Sequence, residues 1–140
     1  MENREKVTSL MSSDGHIFPV EDTVIAEFRA INSFLPAAGD AVNPISQITG
    51  DVLAKIIDYC RKHIDHKLNR LRDEEISAWD RQFVNVDEKT LLDLLVASHF
   101  LGVRDLFSLI MVSVADMTKK KGVGSMDQLH NLFISNFKLD

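Results

Sequence analysis

Cys60, His63 and His66 are spaced three and three, so a helix would carry them on one face, as a zinc site would want. Four ligands normally close a structural zinc site, and no fourth lies nearby. Cys60 also belongs to an apolar stripe with Val52, Leu53, Ile56 and Ile57. The residues read as a buried cysteine and two surface histidines. A nucleophilic thiol would need an exposed, electropositive setting and a base. Arg61, Lys62 and His63 bring charge, but around the helix from Cys60. His99 sits in an apolar helix with no second histidine or carboxylate at a spacing useful for acid–base work. Gly122-Val123-Gly124 lacks the Lys and Ser/Thr of a phosphate loop and reads as a hinge. The carboxylates form no calcium-loop pattern. These residues point away from an enzyme, a metal and a cofactor, and toward a binding module.

The elements that would hold such a surface follow from turn signals and apolar spacing. Lys6 to Met11 and His16 to Val20 flank the hairpin turn Ser12-Ser13-Asp14-Gly15. Pro19 lacks an N–H, which places the second strand at a sheet edge. Val24, Phe28, Ile31 and Leu35 predict one helical face ended by Pro36. Pro44 to Gln47 is a short third strand. Thr49 caps a helix through Cys60, with Asp51 in its first turn and Arg61, Lys62 and His63 near its end, as the helix dipole favours. Asp65 to Ser77 is charged and weakly periodic, and reads as a linker with at most a short helix over 70–76. Ala78 to Asp87 holds the single tryptophan, Trp79, and reads as a strand pinning two layers. Asp87 opens a helix through Leu91, Leu92, Leu95, Val96 and His99 that stops at Gly102. A second helix spans 104–119, and a last short one spans 126–133. Strands come first and helices follow, which predicts an α+β fold and not a βαβ alternation.

The 140 residues suit one domain. A net charge of −5 argues against nucleic acid, which demands a basic face. The run Leu109 to Ala115 is too short to span a bilayer, so no membrane partner is expected. One cysteine and no signal peptide point to a reducing compartment, nucleus or cytoplasm. The last third carries more apolar positions than two isolated helices can bury against each other, as a partner-binding module would.

Four stretches resemble the Skp family, the S-phase kinase-associated adaptors of cullin–F-box ubiquitin ligases, plant members especially. They are Ser12-Ser13-Asp14-Gly15 with Phe18-Pro19-Val20, and Ile48-Thr49-Gly50 with Lys55 through His63. The others are Ala78-Trp79-Asp80 with Phe83-Val84 and Val86-Asp87, and Thr90 to Leu94 with Val114-Ala115-Asp116-Met117. The match runs in order over about residues 6–121. It implies a BTB/POZ-type α+β core with C-terminal F-box-binding helices. It implies an adaptor of an SCF-type ligase, with cullin N-terminal domains and F-box proteins as partners. The implied layout is a POZ-like portion over 6–66, a charged linker over 67–77, the rest of the core over 78–101 and an F-box-interacting extension over 95–140. The family's cullin-facing Asn-Tyr pair falls on His99-Phe100. The implied F-box-facing residues are Leu95, Leu106, Ile110, Val114, Met117, Leu129 and Phe133. The family continues into an acidic helix and an Asn-Gln-Trp segment, which this sequence lacks. The expectation is a shortened F-box contact. The alternative is a POZ-like interaction protein that dimerises or competes for cullin or F-box partners without forming a full ligase.

Overall fold

A computed structural model describes residues 7–35 and 41–120. Strand β1, Val7–Met11, and strand β2, Ile17–Glu21, form the hairpin around Asp14-Gly15. They pair antiparallel, with Ser9 opposite Pro19 and Leu10 opposite Phe18. Strand β3, Val42–Pro44, joins the other side of β1 in parallel, giving the order β2-β1-β3. Pro19 therefore lies on an edge strand, where a missing N–H costs no ladder bond on the open side. Alternate residues split the sheet into two faces. Thr8, Leu10 and Val20 are buried on the inner face, while Val7, Ile17, Pro19 and Pro44 are exposed on the outer one.

The segment after β2 differs from the expected long helix. Helix α1 is only Asp22–Ile25, followed by tight turns and a 3-10 turn at Asn32–Phe34. The hydrogen bonds step three residues at Glu27 to Val24, Phe28 to Ile25 and Ile31 to Phe28. Val24 and Phe28 still reach the core, with Ile31 and Leu35 packed on its edge. What breaks the helical ladder is a competing bond: the Ala30 N–H donates to the Leu101 carbonyl at 3.0 Å.

Helix α2, Gly50–Lys67, carries the apolar stripe to its C-terminal turn and exceeds the predicted length. Its first N–H is satisfied across the fold, because Gly50 donates to Asp14 Oδ1 of the hairpin turn at 2.9 Å. The expected strand around Trp79 is a helix. Helix α3 spans Asp73–Phe83 and takes in the end of the stretch read as a linker. Ile76, Trp79 and Phe83 are three and four apart, one helical face against α2. Asp73, Glu74 and Glu75 fill its first turn and Arg81 its last, as the dipole prefers. The side chain of Glu75 accepts the Arg72 N–H at 2.9 Å and closes the start. The third strand also sits two residues earlier than expected, at Val42–Pro44.

Helix α4 is Glu88–Leu101 and helix α5 is Arg104–Lys120. Asp87 takes the N-cap position in extended geometry, and Gly102 ends α4 at φ 80°, the left-handed conformation. One core runs from Leu10 and Val20 through Leu53 and Ile56 to Leu94, Leu106 and Ile110, so the sheet, α2, α4 and α5 share it. The predicted last helix over 126–133 lies outside the described residues.

Candidate partner-binding surface

Helix α4 presents two of the predicted site residues at its C-terminal end. His99 is exposed and Phe100 is half-buried. Successive residues on a helix point about 100° apart, so the two rings address different neighbours. The His99 ring tilts against Phe107 of α5 at 5.3 Å between centroids. Phe100 shares its face with Leu92 and Val96, eight and four residues earlier, and all three are half-buried. The sequence marks Leu92 and Val96 as apolar helix positions but not as part of a partner-facing row. Their spacing from Phe100 was the available signal. Lys89 and Asp93 pair along the same face at 2.7 Å, and the Asp93 carboxylate raises the Lys89 ammonium above its usual range.

The end of α4 is held from three sides. Ser98 is buried and its hydroxyl donates to the Leu95 carbonyl at 3.0 Å. Gly102 donates to the Ser98 and His99 carbonyls. Ala30 holds Leu101, as described above. A Cβ built on Gly102 would lie 2.3 Å from the Ala30 nitrogen, so the two backbones meet where only glycine fits.

The other predicted residues separate by depth. Leu95, Leu106, Ile110 and Val114 are buried in the contact between α4 and α5 and hold that helix pair together. Met117 is half-buried at the core's edge. Leu129 and Phe133 lie outside the described residues. Val112, which the sequence reading passed over, is 61% exposed on the outer side of α5. Leu109 and Met111 are half-buried beside it.

The Cys60–His63–His66 spacing does not produce a shared site. Cys60 is buried, and burial pushes its thiol up to about 12. His63 stacks on Tyr59 at 4.1 Å and its Nε2 lies 2.7 Å from Asp80 Oδ1 of α3. Nε2 of His66 lies 2.8 Å from Asp73 Oδ1. The two histidines thus dock α3 onto α2, and His63 is half-buried rather than a free surface residue. Trp79 stacks on Phe83 at 5.1 Å and both approach Tyr59, so Trp79 does pin two elements, though as a helical residue. Burial, and then the Asp80 charge, raise the Tyr59 hydroxyl above its usual range. Among the described residues no group of three or more His, Cys, Asp or Glu side chains is gathered to hold a metal ion. No helix of the described residues is long and apolar enough to cross a membrane.

A three-stranded sheet laid on a helical core, with a helix pair following, is an α+β fold of the BTB/POZ type. The Skp1 family, tetramerisation domain, matches residues 6–65. SKP1-like protein 12 of Arabidopsis thaliana is 32% identical over 118 residues, covering 83% of this chain and 77% of that protein. SKP1-like protein 3 of the same plant is 34% identical over 144 residues, covering 94% of this chain and 87% of that protein. The chain belongs to the Skp1 family.

Proposed function

We propose that this chain is the adaptor subunit of a cullin–RING, SCF-type E3 ubiquitin ligase, in nucleus and cytoplasm. It bridges a cullin N-terminal domain to F-box substrate receptors so that their substrates are ubiquitinated. The carrying observation is likeness to SKP1-like proteins over most of both lengths, through the POZ-type core and into the helices that follow. We assign the chain no catalytic step and no cofactor.

The geometry supports a division of surfaces. The cullin side is the face of α4 bearing Phe100, with Leu92 and Val96 in the same row and His99 beside it. Phe100 supplies an aromatic contact of the kind that dominates interfaces. The F-box side is the outer surface of α5 around Val112, with Leu109 and Met111 beside it and Met117 at the edge where α5 meets the core. Leu95, Leu106, Ile110 and Val114 serve that side from beneath, by fixing α5 on α4.

Co-expression with an F-box domain, followed by size exclusion and capture on a cullin N-terminal domain, tests the reading. A ternary complex is the expected result. Failure to bind either partner would overturn it.

A further inference from the structure

We propose that Met111 is a site of reversible oxidative modification: a hydroperoxide converts its thioether to the sulfoxide, and the F-box partner is released from α5. This inference rests on the adaptor reading, because it names a chemical control of the F-box side.

Helix geometry places this sulfur at the border of the partner surface. Each step along a helix turns the side chain by about 100°. Met111 therefore stands between Ile110, which is fully buried, and Val112, which is 61% exposed. It is half-buried and packs on the edge of the core, as do Phe107 and Ala115, one turn to either side on the same flank. Part of the side chain thus stays open to a small oxidant, while the rest completes an apolar strip beside Val112. Methionine suits such a strip, because an unbranched, polarizable chain adapts to the surface laid on it. The sulfoxide is polar, and under an apolar partner its oxygen loses water without gaining a donor.

The other sulfur atoms of the described residues do not share this role. Cys60 is the chain's single cysteine. It is buried, and burial pushes its thiol up to about 12, so the thiolate that would attack a peroxide is withheld. Met117 follows Ile110 by nearly two whole turns of α5, so it points toward the core instead of the partner. Met11 lies on β1, apart from α4 and α5. Oxidation of Met111 is therefore the one of these events that alters the α5 surface.

The chemistry balances without a cofactor. A lone pair on the Met111 sulfur attacks one oxygen of the peroxide. The S–O bond forms as the O–O bond breaks. The proton carried by the attacked oxygen passes to the leaving oxygen, which departs as water, or as an alcohol from an alkyl hydroperoxide. The thioether gives up two electrons and the peroxide takes them. A methionine sulfoxide reductase reverses the step with two electrons from thiols.

The test treats the full chain with hydrogen peroxide, maps it by peptide mass, and titrates it with an F-box domain and with a cullin N-terminal domain. Met111 should gain one oxygen in the folded chain. F-box affinity should then fall about tenfold or more, as one unpaired polar group in an interface costs. Reductase treatment should restore it. Cullin affinity and the far-UV CD spectrum should stay unchanged. Met111→Leu nearly conserves the side-chain volume, so it should bind the F-box and keep it after peroxide. Met117→Leu should stay as sensitive as wild type. An oxidised Met111 with undiminished F-box affinity would overturn the proposal. So would a Met111 that takes up no oxygen, a Met111→Leu chain that still loses the F-box on treatment, or loss of the helical CD signal along with both partners. An untreated chain that binds no F-box would overturn the adaptor reading and this inference with it.

Discussion

Replacing Gly102 by alanine tests how the cullin-facing end of α4 is held. Two costs add. The backbone at Gly102 has φ 80°, a conformation in which any Cβ is strained by about 1–2 kcal/mol. The new Cβ would also lie 2.3 Å from the Ala30 nitrogen and 2.7 Å from its Cβ. That neighbour is mostly backbone and cannot swing aside, so the segment after α1 must move. Overpacking of this kind costs about 1–3 kcal/mol. The Ala30 to Leu101 hydrogen bond, worth about 1 kcal/mol net, weakens with it. The total is about 3–6 kcal/mol, a large part of the roughly 5–15 kcal/mol that holds a domain of this size. Gly15→Ala supplies the comparison. It has φ 88° but nothing within 4 Å of its Cβ, so it should show the conformational cost alone. Urea unfolding of both variants, followed by far-UV CD, gives the two values provided the slopes match. If Gly102→Ala costs no more than Gly15→Ala, the close approach between α4 and Ala30 is wrong, and so is its role in positioning His99 and Phe100.

Other expectations follow from the same contacts. The Ser12 hydroxyl and then the Gly50 N–H hold the Asp14 carboxyl down at about 2, against an ordinary 3.8. A depressed carboxyl stabilises the fold above its unfolded value and loses that contribution as pH falls from about 3.8 toward 2. Asp14→Asn should remove this part of the acid-unfolding slope, and an unchanged slope would show that the contact between the turn and α2 does not form. With its thiol pushed up to about 12, Cys60 should resist iodoacetamide at pH 8 in the folded chain and react fully in urea; rapid native alkylation would contradict its burial. Trp79→Ala removes the ring stacked on Phe83 and facing Tyr59, at a cost of about 2–3 kcal/mol for a half-buried aromatic. Amide exchange should then quicken across 73–83, and unchanged protection would show that Trp79 does not dock α3.

Several elements were legible because one local signal decided each. Asp14-Gly15 set the hairpin and Pro19 the edge strand. Asp87 and Gly102 bounded α4, and the stripe from Val52 to Cys60 marked α2. Trp79 was misread because Phe83, Val84 and Val86 suggest alternation over too few residues to separate strand from helix. The Ile76–Trp79–Phe83 spacing and the acidic first turn identify α3 only when the charged stretch is read together with the tryptophan. The segment after β2 keeps its helical spacing yet loses the helix, because the Ala30 to Leu101 bond is tertiary and no local pattern reports it. The same limit applies to the surface. Periodicity marks Leu95, Leu106, Ile110 and Val114 as apolar, but it cannot separate residues that join two helices from residues that meet a partner. His99 and Phe100 came from the family resemblance, whereas the half-buried row with Leu92 and Val96 needed the burial pattern.

The most direct measurement is the affinity of a cullin N-terminal domain for the F-box-bound chain, wild type against Phe100→Ala. The wild-type chain should form the ternary complex. Phe100→Ala should keep the F-box and weaken the cullin by about 30-fold or more, as loss of a hot-spot aromatic worth about 2 kcal/mol requires. A chain that binds neither partner, or a Phe100→Ala variant that holds the cullin as tightly as wild type, would contradict the account.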